Sequence, residues 1–171
     1  MRRKILHISG EIWDKLGTTI VPKLEQTTSL EKRAGFTPTI DSRNAAFAAA
    51  NAAEEKKGFG TIVLDVREVT LLADYFVIVG GETSTQLKAL VEAIDIRLAA
   101  LGYELYAREG GKEARWVLLD YGDVIVHVLQ ERERNYYKLE QFWNQALVVD
   151  RREWQVDQGQ DKAGFLDVRR R

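Results

Sequence analysis

The side chains most suited to chemistry are gathered in one short run, Trp116-Val117-Leu118-Leu119-Asp120-Tyr121-Gly122-Asp123-Val124-Ile125-Val126-His127. His127 has the pKa range of a general base, since imidazole titrates near neutrality. Local sequence places no serine nucleophile beside it, and the chain has no cysteine. A binding or structural role, hydrogen-bonded near Asp120 or Asp123, is the better reading. Asp120 and Asp123 have the oxygen ligands a hard cation prefers. No third acidic ligand stands at a recognisable spacing, and carboxylates that flank a glycine turn commonly bond the loop backbone. Turn chemistry is favoured, and no metal or cofactor is called for.

Two other stretches invite a chemical reading. Gly80-Gly81-Glu82-Thr83-Ser84 is a glycine turn running into a helix start, where backbone amides can hold phosphate. It lacks the lysine of a P-loop and the third glycine of a dinucleotide fingerprint, and Glu82 would repel an anion. A plain strand-to-helix turn is expected. Glu131-Arg132-Glu133-Arg134 reads as the solvated first turn of a helix. The aromatics that follow, Tyr136, Tyr137 and Trp143, either pack inward or serve as interface anchors, for which Tyr and Trp are the preferred residues.

These residues are positioned by a hairpin. With Tyr121 and Gly122 as its two loop residues, Asp120 opposes Asp123 and Trp116 opposes His127, and opposed residues share a face. One face then carries Val117, Leu119, Val124, Val126 and Val128. The other carries Trp116, Leu118, Asp120, Asp123, Ile125 and His127. The first face is core. A large aromatic, two carboxylates and an imidazole on the second point to partner binding.

Upstream, Asp41 or Ser42 caps an alanine-rich helix that Gly58 stops. Thr61 to Val66 and Tyr75 to Val79 read as buried strands. Thr83 and Gln86 have capping-box spacing, ahead of the stripe Leu87, Leu90, Val91, Ile94, Leu98 and Leu101. Tyr103 to Arg108 is a third strand, the hairpin supplies two more, and a single helix runs from about Glu131 to Trp143. The expected architecture is α/β (α+β): one five-stranded sheet flanked by helices, in the order α-β-β-α-β-β-β-α, with the strand order not legible. It occupies 41–147. Residues 1–40 hold both prolines and an interrupted stripe of Ile12, Trp13, Leu16 and Ile20, and read as an extension. Residues 148–171 read as a charged, disordered tail.

The 171 residues include 25 basic and 26 acidic ones, for a formal net charge of −1. No global positive field exists to hold a nucleic acid, so direct sequence-specific nucleic-acid binding is not expected. No apolar run approaches the ~20 residues of a membrane span, and the basic start Met1-Arg2-Arg3-Lys4 makes a poor signal peptide. With no cysteine, a reducing compartment is expected, which points to the cytoplasm. The oligomeric state is not legible, and a homodimer stands open.

Leu64-Asp65-Val66-Arg67, Asp74-Tyr75-Phe76-Val77-Ile78, the run from Trp116 to His127, and Tyr137-Lys138-Leu139-Glu140-Gln141-Phe142-Trp143 resemble the signature of the ribosomal silencing factors, or iojap-like proteins. The resemblance covers about 41–147. It implies a non-enzymatic translational repressor of nutrient-poor conditions. Such a protein binds the large ribosomal subunit through its ribosomal protein number fourteen and blocks association with the small subunit. It also implies a mixed sheet with helices, a fold similar to nucleotidyltransferase domains. The rival readings are a nucleotidyltransferase-like enzyme and a nucleotide- or metal-binding regulator. Against both, Gly80-Gly81-Glu82 departs from the Gly-Ser turn of those enzymes, and Asp65 is followed two positions on by Arg67 rather than a second aspartate. The expected partner-binding residues are Trp116, Asp120, Tyr121, Gly122, Asp123, His127, Tyr137 and Trp143, with Trp116 and Tyr121 as anchors.

Overall fold

The computed structural model describes residues 41–155 except Lys112, so the reading of 1–40 and of 156–171 lies outside the described residues. Helix α1, Ser42–Glu55, is capped by Asp41, whose side chain accepts from the Arg43 N–H, and six of its alanines are buried. Its end differs from expectation in one detail. The left-handed residue is Lys57, at φ 58°, while Gly58 N–H closes the turn on Ala53 O at 2.9 Å. A Cβ on Gly58 would meet the Val79 side chain at 2.4 Å, so glycine is required there for close approach.

Strands β1, Phe59–Asp65, and β2, Tyr75–Gly81, pair antiparallel. Helix α2, Ser84–Ala100, starts at a variant of the capping box: Thr83 Oγ1 accepts from Gln86 N–H at 3.1 Å, while Gln86 Oε1 accepts from the N–H of Glu82, one residue before the cap, at 2.8 Å. Strand β3 is only Ala107–Glu109, shorter than the expected Tyr103 to Arg108. Strands β4, Trp116–Asp120, and β5, Val124–Gln130, form the hairpin.

Where one helix was expected after β5 there are two short ones, α3, Glu131–Tyr137, and α4, Leu139–Phe142. Lys138 separates them at φ 44°, a left-handed backbone that no α-helix can pass through. A sixth strand, β6, Leu147–Val148, pairs with Leu64 and Asp65 of β1. A last turn, α5, Arg151–Trp154, follows. The sheet is therefore six-stranded, in the order β3-β4-β5-β2-β1-β6, mixed through the parallel β2–β5 pair at its centre. The two departures, a sixth strand and a divided helix, share a cause. Two residues carry no periodicity, and lysine gives no sign of a left-handed backbone.

The first residues of the expected tail are part of the domain. Val148 is in the sheet, and Trp154 is 3% exposed in the main core. Asn51 Nδ2 donates both to Phe47 O and to Trp154 O, at 2.9 and 2.5 Å, and Arg151 and Glu153 pair with Glu54 and Arg43 of α1. The charges misled the reading by outnumbering the one side chain that anchors the turn.

Two cores flank the sheet unequally. Under α1 and α2 lie Val63, Val77, Val79, Val117, Leu119, Val126 and Val128 with the α1 alanines. On the opposite face Leu64, Phe76, Ile78, Leu118, Ile125 and Leu129 are covered, among the described residues, by α3, α4 and the 66–74 loop. That cover leaves Ile62, Val69, Leu72, Trp116, Tyr137 and Phe142 half-buried.

Candidate functional site: an aromatic row on the thinly covered face

The hairpin register differs from expectation by two residues. Trp116 opposes Leu129, Leu118 opposes His127 and Asp120 opposes Ile125. Tyr121 N–H donates to Val124 O at 3.0 Å, leaving Gly122 and Asp123 as the two loop residues. Gly122 takes φ 87° while Asp123 stays at negative φ, the pattern of a type II′ turn with glycine first. A shift of two preserves parity, because side chains alternate with period two. The predicted division of faces therefore holds for Trp116, Leu118, Ile125 and His127 on one side and for the valines and Leu119 on the other.

The shift moves Tyr121 out of the loop and onto the main core. It is 1% exposed, and its hydroxyl donates to Asp95 Oδ1 at 2.9 Å. Burial first, and the bond to that carboxylate second, push its pKa far up. Tyr121 is thus no surface anchor, which corrects the expectation. Asp120 is 4% exposed, and its Oδ1 accepts from Gly122 N–H at 2.8 Å. Asp123 O accepts from the N–H groups of Asp74 and Tyr75 at 2.8 and 3.1 Å, and so locks the turn to the start of β2. Asp120, Gly122 and Asp123 build a turn. They lie at the far end of β4 from Trp116, about 13 Å away along a strand.

Four of the expected residues do come together. Ring contacts run from Tyr136 to Tyr137 at 4.9 Å, then to Trp116 at 5.0 Å and to His127 at 5.7 Å. They continue through Phe76 at 5.6 Å, Trp143 at 5.1 Å and Phe142 at 5.3 Å. Edge-to-face geometry prevails, which sets the positive rim of one ring against the negative face of the next. Tyr136 is 69% exposed, Trp116, Tyr137 and Phe142 are half-buried, and Trp143 and His127 are inside. The row begins in solvent, passes under the short helices and comes up again at Phe142. Phe76 was missed as a site residue. Its signal was parity, since it shares a face with Ile78 on a strand parallel to β5.

His127 is buried beside the ring edge of Phe76 and accepts the Trp116 indole N–H on Nδ1 at 3.3 Å. Burial pushes its pKa down to about 3, helped by the positive charge of Arg134, so the imidazole is neutral. Neither aspartate of the turn partners it, contrary to expectation. Arg134, expected in a solvated turn, is 6% exposed. It pairs with Glu140 and donates to Gly60 O at 3.1 Å, which fastens both short helices to the irregular start of β1.

The other chemical candidates are occupied by structure. Asp65 is held by Arg67 through Nε at 2.9 Å and Nη2 at 2.6 Å, and that side-chain bond draws its pKa down. At Gly80 a Cβ would sit 2.4–2.7 Å from the Phe59 ring, so the glycine there makes room for an aromatic side chain. Among the described residues no cluster of three or more His, Asp or Glu is placed to hold a metal. No described helix is long and apolar enough to cross a membrane.

A family model described as ribosomal silencing factor during starvation matches residues 39–167. A ribosomal silencing factor of Bacillus subtilis is 40% identical over 102 residues, which are 60% of this chain and 86% of that protein. One from Halalkalibacterium halodurans is 38% identical over 102 residues, covering 87% of that protein. In three dimensions the chain is similar to a crystal structure of a Chromobacterium violaceum protein, with TM-score 0.58 and 33% identity, over 61% of this chain and 88% of the other.

Proposed function

The chain belongs to the family of ribosomal silencing factors, and from that premise we propose that it represses translation by occupying the large ribosomal subunit. In this reading it binds through ribosomal protein number fourteen of that subunit and sterically keeps the small subunit away, acting in the cytoplasm when nutrients are limiting. The observation that carries the docking site is the aromatic row. In it Tyr136, Tyr137 and Trp116 stand at the edge of a face that, among the described residues, two short helices and a loop cover in part.

Blocking a joint between two large particles requires no bond to be made or broken. It requires a rigid surface with a few aromatic anchors, and bulk behind it. The six-stranded sheet supplies rigidity, Trp116 and Tyr137 have the amphipathic rings that dominate interface energetics, and α1 and α2 supply the bulk on the opposite face. The carboxylates that a transferase would need are spent on Arg67 and on the turn. We therefore read the protein as a binding factor and not an enzyme.

The test is subunit joining. Purified large subunits, incubated with the protein before small subunits are added, should form fewer joined ribosomes in a sucrose gradient, and the protein should travel with the large subunit. Undiminished joining at saturating protein would contradict the proposal.

A further inference from the structure

We propose that His127 is a positioning residue: a buried acceptor that fixes the orientation of the Trp116 indole and so the shape of the docking face. The proposal deepens the reading above and rests on it for its functional half. Its structural half stands on the geometry alone.

Every other side chain that β5 directs to this face is aliphatic. Ile125 and Leu129 flank His127, and Val126 and Val128 face the opposite core. Burial alone would be met by another aliphatic residue at 127. A buried imidazole incurs a desolvation cost that a leucine would not. What it adds is one acceptor in the plane of its ring, and Nδ1 receives the Trp116 indole N–H at 3.3 Å. With Nδ1 accepting, the ring proton sits on Nε2.

The imidazole is itself held. The edge of Phe76 meets it at 5.6 Å and 86°, and Phe76 is backed in turn by Trp143 at 5.1 Å. On its other side the Trp116 ring packs against Tyr137 at 5.0 Å. Trp116 stands at the first position of β4, opposite Leu129, with the ladder continued before it only by Gln130 N–H donating to Arg115 O at 2.8 Å. A half-buried indole at a strand end has several rotamers open to it. The hydrogen bond to His127 favours the one in which the ring continues the row out to Tyr137 and Tyr136. A preformed anchor binds more tightly than one that must be ordered on contact.

The test uses two isosteric replacements in the full chain. His127→Asn keeps an acceptor where Nδ1 stands, and His127→Leu has the same shape without one. The Trp116 indole N–H is followed by nitrogen-15 NMR, identified by its loss in Trp116→Phe, and affinity for purified large subunits is measured alongside melting. His127→Leu should move the indole resonance and weaken binding about tenfold, the size of one lost hydrogen bond. His127→Asn should restore most of both. In a Trp116→Phe background, His127→Leu should weaken binding no further. An indole resonance unmoved by His127→Leu overturns the proposal, as does equal weakening by the two replacements. Should the wild-type protein not bind large subunits, the docking reading falls, and the resonance alone decides whether His127 holds the indole.

Discussion

Trp154 tests the boundary of the domain. Its side chain is 3% exposed in the main core, whose floor here is the row of buried alanines on α1. Trp154→Ala would leave a void that the alanines and the sheet behind them cannot fill, so the cost falls in the range of about 3–5 kcal/mol for a large aromatic. One part of that is returned. The indole N–H is buried without a partner, and its removal relieves about 1–2 kcal/mol of desolvation. The net loss is about 1–4 kcal/mol, which for a domain of this size lowers the melting temperature by roughly 4–16 °C. The flanking ion pairs, Arg43 with Glu153 and Arg151 with Glu54, are solvent-screened at the surface, with Glu54 half-buried, and contribute about 1 kcal/mol or less each. Trp154→Phe, which keeps most of the ring and drops the N–H, should stay within about 1 kcal/mol of wild type. Calorimetric or circular-dichroism melting reads all three. A Trp154→Ala melting point within about 2 °C of wild type would refute the packing argument, and residues after Val149 would then be dispensable.

Acid should destabilise the fold in a window set by His127. Its folded pKa of about 3 lies below the unfolded value of 6.5, so the unfolded chain takes up a proton first. The stability this neutral imidazole confers is complete above about pH 6.5 and falls by about 1.4 kcal/mol per unit below it, or about 2 kcal/mol by pH 5. Urea titrations at pH 7 and pH 5 should show that loss, and His127→Leu should abolish most of it. At the turn, Tyr121→Phe removes only the bond to Asp95 and should cost about 1 kcal/mol, whereas Tyr121→Ala opens the core and should cost about 3–5 kcal/mol. Near-equal melting of those two variants would mean that Tyr121 is not in the core.

The strands and the division of hairpin faces were legible because strand patterning has a period of two, whereas the mixed character of the sheet came from the resemblance to the family. An error of two residues in register leaves every paired side chain on its predicted face. Tyr121 escaped because its place depended on the turn itself: one residue assigned to the loop instead of the strand changes an anchor into a core residue. The break at Lys138 and the strand at Leu147–Val148 were illegible, since neither a left-handed lysine nor a two-residue strand leaves a pattern. Trp154 was hidden by its charged neighbours. The aromatic residues of the site were found, but their order was not. The row through His127 and Phe76 arises from contacts across β2, β4, β5 and α3, which no linear spacing records.

The central claim is that the Trp116 face docks on the large ribosomal subunit, and the most direct measurement is sedimentation of wild-type and Trp116→Ala protein with purified subunits. Truncating an aromatic anchor costs about 2 kcal/mol or more, roughly thirtyfold in affinity. Wild-type protein should pellet with large subunits and not with small ones. A Trp116→Ala protein with a preserved melting transition should pellet at least that much more weakly. Wild-type protein that stays in the supernatant, or a folded Trp116→Ala protein that pellets as well as wild type, would contradict the account.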